Sequence, residues 1–461
     1  MTIMRTVTLL SIAATLLVSC AQDEPVSTSA SAQPAIALSP DGPDAWRATY
    51  TLSSPAPSLR FARNPDDSRN SRWRVEDGYE IVHVDGADYL KRADGAEFTS
   101  AYIIAPARYA VLPKDYAPFS PYTDGGLLIF SGQFQACAGP DECPDDATWP
   151  LTVTPPKDAH IIVEGAAHER SVTFTESGDG TNIYVGEGEP IASSHFIAVV
   201  DASLPAEVND ALHSLLPPLM DYFTERLGPL SERPMLFASL DPNAPKESGY
   251  SSQGGTLPNQ IFIHLYGEQW ALNASEKLAG FLPWFFAHEV GHLFQHARSN
   301  YAEYEMDQSW IHEGGADAFA ALTIARFGGA EESYVTERIL RAERDCADGL
   351  KALDGKPLTA SAEDGAFDNY YSCGLLMHLA IDAEVKKTSG GERDLLDVWN
   401  TFLSRVSAGA AWDQDVFLAI AREAGAPKAA DFASALASET QEDPAGFIRA
   451  AMIEAGLPVT D

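Results

Sequence analysis

The chain has 461 residues, enough for two or three domains, and its 45% hydrophobic and 21% charged residues are typical of globular proteins. The formal net charge of −35 argues against a nucleic-acid partner, because a phosphate backbone would be repelled. The acidic residues are dispersed along the chain, which favours a well-solvated surface over a dedicated acidic tail.

Residues 1–19 have the pattern of a signal peptide. A positive start is followed by the apolar run Val7–Val18, which is too short to span a membrane as a mature helix. Ser19 before Cys20 resembles the lipobox of bacterial lipoproteins, in which the cysteine is lipidated; an ordinary signal peptide with a chance cysteine is the alternative. The resemblance implies membrane attachment through Cys20 in the bacterial cell envelope, and Ala21 favours the outer membrane.

Two segments of different character follow. Residues 20–45 are rich in Ser, Ala and Pro, which predicts a flexible tether. Residues 46–190 contain short alternating runs, such as Tyr79–Val84 and Leu127–Phe130, separated by Gly, Pro, Asp and Asn. This pattern predicts a β-rich, sandwich-like domain, and no cluster of residues in it suggests chemistry.

The pattern changes to mixed and then helical structure after residue 190. His195–Val200, Pro234–Leu240 and Gln260–Tyr266 read as strands, and Pro205–Leu227 reads as an amphipathic helix. Beyond Ser275 the periodicity is almost entirely helical. We therefore predict an α+β multidomain protein, with a second domain at 194–385 and a helical C-terminal region at 386–461.

The cysteines agree with export. Four remain once Cys20 is lipidated, and an even number in an exported chain indicates disulfides. Cys137 and Cys143 flank a Gly-Pro turn, so that Cys346 and Cys373 would pair across two helical segments. A metal site made from these cysteines is the weaker alternative, because their spacings match no zinc finger.

The strongest chemical motif is His288-Glu289-Val-Gly-His292. On a helix, two histidines four residues apart point in the same direction and can bind one zinc ion. Glu289 would then face the water that the metal activates. By itself the motif is a moderate signal, since a helix with two unrelated histidines is the alternative.

A second motif supplies the further ligand that such a site needs. Glu313 lies 21 residues beyond His292, a gap that allows a loop and a returning helix. Asp317 follows one helical turn later, where its carboxylate could accept a hydrogen bond from His288 and fix the tautomer.

Together these motifs resemble the gluzincin metallopeptidases, which include thermolysin and aminopeptidase N. The run Trp310-Ile-His-Glu313-Gly-Gly-Ala matches the aminopeptidase form, and Glu313-x-x-x-Asp317 matches the thermolysin form. The resemblance covers about 40% of the chain, is specific around the metal, and implies a thermolysin-like catalytic domain at 194–385. It implies Zn²⁺ bound by His288, His292 and Glu313.

The resemblance also points to an oxyanion donor. In the aminopeptidase branch a Tyr-x-x-Gly segment opens an apolar helix, and its phenol hydrogen-bonds the tetrahedral oxyanion. Tyr371 occupies that place, 83 residues after His288, with Tyr370 as the fallback and a buried core tyrosine as the alternative.

Gluzincins place a substrate-pairing edge strand before the metal helix, and Gly254, Gly255 and Asn259 precede the strand Gln260–Tyr266. An ordinary core strand is an equally good interpretation. Many aminopeptidases hold the free amine of the substrate with a glutamate at the position that Pro258 occupies. This departure favours an endopeptidase or an unusual exopeptidase.

The remaining histidines near the motif fit a ligand role poorly. His296 lies one turn beyond His292, too far along the helix axis, and His312 is adjacent to Glu313 and should point away. Arg298 stands where the metzincin pattern requires its third histidine, which excludes that class.

The sequence therefore predicts a zinc-dependent peptidase that cleaves peptide or protein substrates with a zinc-bound water activated by Glu289. The rival hypothesis is a non-catalytic, metal-stabilised envelope lipoprotein that acts as a binding or assembly module. Hydrolysis of a non-peptide substrate on the same metal is a third possibility.

Overall fold

The computed structural model describes residues 33–112, 115–243, 251–298, 306–328 and 332–460. Within them the fold is α+β, with a β-rich N-terminal region and a helical C-terminal region, as predicted. Cys20 and the predicted signal peptide lie outside the described residues. No helix in the described ranges is both long and apolar enough to span a membrane.

The N-terminal region consists mainly of short strands. They are β1 (Ala35–Pro40), β2 (Ala45–Ala56), β3 (Ser58–Phe61), β4 (Arg74–Val75), β5 (Tyr79–Val84), β6 (Ala87–Arg92), β7 (Phe98–Pro106), β8 (Phe119–Pro121), β9 (Leu127–Phe130), β10 (Ala136–Ala138), β11 (Thr148–Val153), β12 (His160–Val163), β13 (Ala166–His168), β14 (Val172–Ser177) and β15 (Asn182–Gly186), with the single-turn helix α1 (Arg69–Arg72). They form sheets in the orders β14-β11-β1-β2-β7-β4, β10-β3-β6-β5 and β13-β12-β15-β9-β8. Strand β2 illustrates why these segments form strands, since its buried and more exposed residues alternate along the chain.

The tether predicted over residues 20–45 is wrong at its C-terminal end. Strand β1 pairs antiparallel with β2 and parallel with β11, and it buries Ile36 and Leu38 in the core. The alternation Ala-Ile-Ala-Leu-Ser is typical of a strand, although it lies in a segment whose Ser/Ala/Pro composition is typical of a tether.

The second region contains a separate sheet. Its strands are β16 (Ile191–Ala192), β17 (Ile197–Val200), β18 (Met235–Asp241), β19 (Ser251–Leu257) and β20 (Gln260–Tyr266), in the order β16-β17-β18-β20-β19. Strands β17, β18 and β20 are parallel and nearly continuous in apolar residues, as strands buried on both faces require. Strand β19 pairs antiparallel with β20, and in the described part of the chain its other edge has no strand partner.

The rest of the described chain is helical. The helices are α2 (Ala206–Leu227), α3 (Glu268–His296), α4 (Ser309–Phe327), α5 (Glu332–Ala352), α6 (Asp368–Ser389), α7 (Leu395–Ser407), α8 (Gln414–Glu423), α9 (Pro427–Ser438) and α10 (Pro444–Ala455). Helix α2 buries Val208, Leu212 and Leu219 at helical spacing, which matches the predicted amphipathic pattern. Helix α7 begins with a capping box between Asp394 and Asp397.

The two regions share one apolar cluster between the N-terminal sheet that ends in β8 and the sheet of β17–β20. Phe130 and Tyr184 from the first side pack with Phe237 and Phe262 from the second. The ring of Tyr116 bridges the two sides, 5.3 Å from the ring of Phe130 and 4.7 Å from that of Phe262, centroid to centroid. The β-rich region is therefore packed directly against the sheet that carries β19.

Both predicted disulfides are present. Cys137 is bonded to Cys143, and Cys346 on α5 is bonded to Cys373 on α6. The second bridge fixes the second turn of α6 against α5, two residues beyond Tyr371.

We expect replacement of Cys346 and Cys373 by Ala to lower the free energy of unfolding by about 3–4 kcal/mol, because the bridge closes a long loop in the unfolded chain. The sequence separation is 27 residues, against 6 for Cys137 and Cys143. The matched Cys137/Cys143 double variant should lose less, about 2 kcal/mol. Urea unfolding monitored by circular dichroism measures both, and an equal or larger loss from the short loop would contradict the expectation.

Candidate metal centre

Helix α3 places two imidazoles side by side, and α4 adds a carboxylate. The Nε2 atoms of His288 and His292 are 3.0 Å apart. The Oε2 atom of Glu313 lies 3.2 Å from Nε2 of His292 and 3.4 Å from Nε2 of His288. The structure thus brings together the three residues predicted as ligands.

The spacing of these three atoms fits a metal ion. Zn–N and Zn–O bonds of about 2.0–2.1 Å at tetrahedral angles separate neighbouring ligand atoms by roughly 3.3 Å. Two imidazoles and one carboxylate are also a donor set that zinc accepts, with the fourth position left for water or substrate. Burial would raise the pKa of Glu313, but the neighbouring His292 and His288 outweigh it and hold that pKa far below its usual range. Glu313 is therefore an anion, as a ligand must be.

Asp317 orients the first imidazole, as the sequence predicted. The Nδ1 atom of His288 donates to Oδ1 of Asp317 at 2.9 Å, which leaves Nε2 facing Glu313. Trp284 Nε1 donates to the same oxygen at 2.8 Å, and a guanidinium nitrogen of Arg338 lies 3.6 Å from the other one. These contacts hold the carboxylate in position.

Gln295 has the equivalent role for the second imidazole. The Nδ1 atom of His292 donates to Oε1 of Gln295 at 2.8 Å, and Nε2 of Gln295 donates to the backbone carbonyl of His312 at 3.0 Å. The second bond fixes the amide orientation, so that the oxygen faces His292. We did not predict this residue, although its position three residues beyond His292 on one helix was a usable signal.

We expect Gln295→Met to weaken zinc binding by about 10- to 100-fold, because His292 loses the acceptor that fixes its tautomer. Competition with a chromophoric chelator measures the affinity. Gln308→Met, which changes a half-buried glutamine that bonds Asp307 and Gln414, is the matched control and should leave zinc affinity unchanged. Equal zinc affinity in Gln295→Met and the unmodified protein would remove this role.

Glu289 lies in the same cleft, opposite the edge strand β19. The cleft has a volume of about 670 Å³ and is lined by His288, Glu289, residues 254–259, Glu313 and Tyr371. The hydroxyl of Thr256 on β19 donates to the Glu289 carboxylate. The predicted general base is therefore beside the three predicted ligands and is held by the strand that forms the opposite wall.

Among the described strands the edge strand is β19, and Gln260–Tyr266 is an internal strand, in agreement with the alternative interpretation of an ordinary core strand. Strand β20 lies between β18 and β19 and is buried throughout, whereas Gly254 and Gly255 lie on β19. A side chain at Gly255 would come within 3.1 Å of the Tyr116 hydroxyl, which explains the glycine. Asn259 occupies the left-handed turn between the strands, at φ 55°.

Tyr371 and Tyr370 have different surroundings. The ring of Tyr371 stacks on His288 at a centroid distance of 5.8 Å and lines the cleft. Tyr370 is buried and donates to the backbone carbonyl of Thr359 at 2.9 Å, so the fallback position is structural. Burial and the Glu313 carboxylate raise the pKa of Tyr371, which keeps its phenol protonated and able to donate.

A close approach of two glycines sets the position of Tyr371 relative to Glu313. A Cβ on Gly314 of α4 would lie 2.3 Å from Cα of Gly374 on α6. A methyl group at either position would therefore separate the two helices. The predicted third ligand and the predicted oxyanion donor are each within three residues of this contact.

The prediction that His312 points away is wrong, and His296 also lines the cleft. The His312 ring stacks on His292 with centroids 4.0 Å apart, and its Nε2 atom lies 2.6 Å from Nε2 of His296. Burial and neighbouring imidazoles lower the pKa of His296 to about 2 and that of His312 to about 4. The four-residue spacing of His292 and His296 is a sequence signal that places His296 on the same face of α3. The orientation of His312 depends on how α4 packs, and no local pattern indicates it.

Comparison with known proteins gives a likeness in fold. No protein-family model matches the chain, and no curated protein matches its sequence. The crystal structure of an aminopeptidase N family protein from Idiomarina loihiensis superposes with a TM-score of 0.60 at 11% identity, over 89% of this chain and 76% of the other.

Two further solved structures give lower scores. Leukotriene A4 hydrolase from yeast with bestatin has a TM-score of 0.45 at 13% identity, over 85% of this chain and 64% of that one. A two-domain M1 zinc metallopeptidase bound to L-arginine scores 0.43 at 15% identity, over 90% and 95%. Of these likenesses the one to the Idiomarina protein indicates a shared fold.

Proposed function

We propose that the protein is a zinc-dependent peptidase, with His288, His292 and Glu313 as metal ligands. The observation that carries the proposal is the convergence of these three donors, 3.0–3.4 Å apart, in a cleft that also contains Glu289 and Tyr371. The shared architecture supports a hydrolase at the level of fold. We also propose, from the N-terminal sequence, attachment to the bacterial envelope through Cys20.

The residues divide the chemistry among them. A zinc ion held by the three ligands would act as a Lewis acid and lower the pKa of a bound water towards about 7. Glu289 would take a proton from the attacking water and deliver it to the leaving amine. The phenol of Tyr371 would donate a hydrogen bond to the oxyanion that develops on the scissile carbonyl. Strand β19 offers an open edge along which an extended peptide backbone could lie.

We expect Tyr371→Phe to lower kcat by about 100- to 1,000-fold with little change in KM, because its hydrogen bond strengthens as charge develops on the oxyanion. Steady-state kinetics with a fluorogenic peptide measures both constants. Tyr370→Phe is the matched control, since that hydroxyl bonds backbone outside the cleft. A fall in kcat for Tyr370→Phe and not for Tyr371→Phe would reverse the assignment.

The experiment that tests the proposal combines metal analysis with cleavage-site profiling on blocked and free-amine peptides. We expect about one zinc per chain and cleavage that chelation abolishes and zinc restores. Pro258 follows β19 at the position where many aminopeptidases have a glutamate, and Asp179, a carboxylate that also lines the cleft, is 3.0 Å from the Arg63 guanidinium. We therefore expect amino-terminally blocked peptides to be cleaved. A protein that binds zinc and cleaves no peptide in the library would favour the non-catalytic alternative.

A further inference from the structure

Strand β19 contacts helix α3 at two successive points. At the first point the strand has a glycine, because a Cβ on Gly254 would come within 2.6 Å of the Phe262 carbonyl oxygen and 3.1 Å of the Phe285 ring on α3. At the second point the hydroxyl of Thr256 donates to Oε2 of Glu289. Between the two contacts the strand advances by two residues and the helix by four.

These two spacings match. Two residues of a strand rise about 6.6 Å, and four residues of a helix rise about 6 Å. Side chains two apart on a strand share a face, and so do side chains four apart on a helix. The close packing of Gly254 on Phe285 therefore sets Thr256 opposite Glu289, and the hydrogen bond between them follows from how the strand and the helix pack.

This hydrogen bond restrains the Glu289 carboxylate. The side chain is half-buried, and no other described side chain hydrogen-bonds its oxygens. A glutamate has appreciable rotamer freedom, so one fixed oxygen greatly reduces the number of orientations that the carboxylate can adopt. The Thr256 hydroxyl occupies Oε2, which leaves Oε1 to take a proton from the attacking water.

We propose that Thr256 is a positioning residue for the reaction, which holds Glu289 in the orientation that proton transfer requires. The inference rests on the proposed peptidase function. Strand β19 offers its open backbone edge to an extended peptide, and the side chain of Thr256 on the same strand holds the base. The proton acceptor and the substrate backbone are thus positioned by one strand, which fixes the distance between them.

Thr256→Val and Thr256→Ser distinguish this role from a structural one. Valine has the shape and the strand propensity of threonine without its hydroxyl, whereas serine keeps the hydroxyl and is the poorer strand former. A structural role makes serine the more damaging substitution, and a positioning role makes it valine. We expect Thr256→Val to lower kcat for a fluorogenic peptide by about 10- to 100-fold, with KM and zinc content unchanged. Thr256→Ser should stay within about threefold of the unmodified kcat.

Thr152→Val is the matched control. The hydroxyls of Thr152 on β11 and Thr173 on β14 share a hydrogen bond of 2.8 Å in the β-rich region, so this variant also loses a bonded strand hydroxyl and should keep kcat. A second measurement places Thr256→Val in the Glu289→Gln background. There it should lower the residual kcat by less than about twofold, because a residue that acts through Glu289 has little left to position.

Three results would overturn the proposal: an unmodified kcat in Thr256→Val, a larger loss of kcat in Thr256→Ser than in Thr256→Val, or full additivity of Thr256→Val with Glu289→Gln. Zinc-dependent cleavage by the unmodified chain supports the peptidase whatever these variants do, so the role of Thr256 can fail alone. An unmodified chain that binds zinc and cleaves no peptide would overturn both proposals.

Discussion

The Glu289→Gln variant should keep zinc and lose turnover, with kcat lower by about 100- to 10,000-fold. An amide of the same size cannot take a proton from water, but it can still accept the hydrogen bond from the Thr256 hydroxyl. The Nε2 atoms and the carboxylate predicted as ligands belong to other residues, so metal content should not change. Metal analysis and peptide hydrolysis on one preparation measure both effects.

Glu268→Gln provides the matched control, because Glu268 begins the same helix and lies outside the cleft residues. It should retain both zinc and activity. Peptide cleavage by Glu289→Gln at the unmodified rate would remove Glu289 from the mechanism. Loss of zinc together with activity would place Glu289 among the ligands instead.

The His292→Ala variant should lose both stoichiometric zinc and peptidase activity. His292 supplies one of the three nitrogen or oxygen atoms of the proposed site. The loss of zinc affinity should exceed the roughly 10- to 100-fold loss expected when a residue that only hydrogen-bonds a ligand, such as Gln295, is replaced. Zinc at 100 times the dissociation constant stabilises the unmodified protein by about 2.7 kcal/mol, and this stabilisation should disappear in the variant.

Thermal unfolding with and without added zinc measures this difference. His213→Ala is the control, because His213 is an exposed histidine on α2 whose Nδ1 atom bonds the backbone of Asn209. Its zinc-dependent stabilisation should equal that of the unmodified chain. If His292→Ala is stabilised by zinc as much as this control, the ion binds elsewhere and the proposed site is wrong.

The centre could be predicted in part from the sequence, because helical periodicity fixes which residues share a face. His288 and His292 are related by one turn, and so are Glu313 and Asp317, which makes their local arrangement independent of the rest of the fold. The sequence pattern does not say that α3 and α4 lie side by side. The gluzincin resemblance implies that they do. Gly291 of α3 lies where the two helices meet, and a Cβ there would come within 3.1 Å of the Phe319 ring on α4.

The features that the sequence misplaced all depend on packing between elements. His312 follows Trp310 and precedes Glu313, and its direction depends on the rotation of α4 against α3. The pattern of β20 fits an edge strand and an internal strand equally well, because nothing local distinguishes the two when the partner strand is Gly-rich. Gly254 and Gly255 lowered the strand propensity of β19, although a close approach to Tyr116 is what requires the glycine at 255.

The coarse architecture followed from composition and periodicity, while its details did not. Alternating runs predicted β structure and long helical periods predicted the C-terminal region, as observed. Strand β1 was missed because a segment rich in Ser, Ala and Pro can still pair when two apolar residues face the core. Pairings between distant strands, such as β1 with β11, leave no local trace in the sequence.

Tyr116 connects the β-rich region to the wall of the cleft. Its ring is held between Phe130 of the β-rich region and Phe262 of β20, and its hydroxyl faces Gly255 on the wall of the cleft. A change in the β-rich region therefore alters the strand along which a peptide would lie, without touching any proposed ligand. Two homologous chains could keep identical metal residues and still select different substrates, and exchange of the β-rich region between them would carry that preference with it.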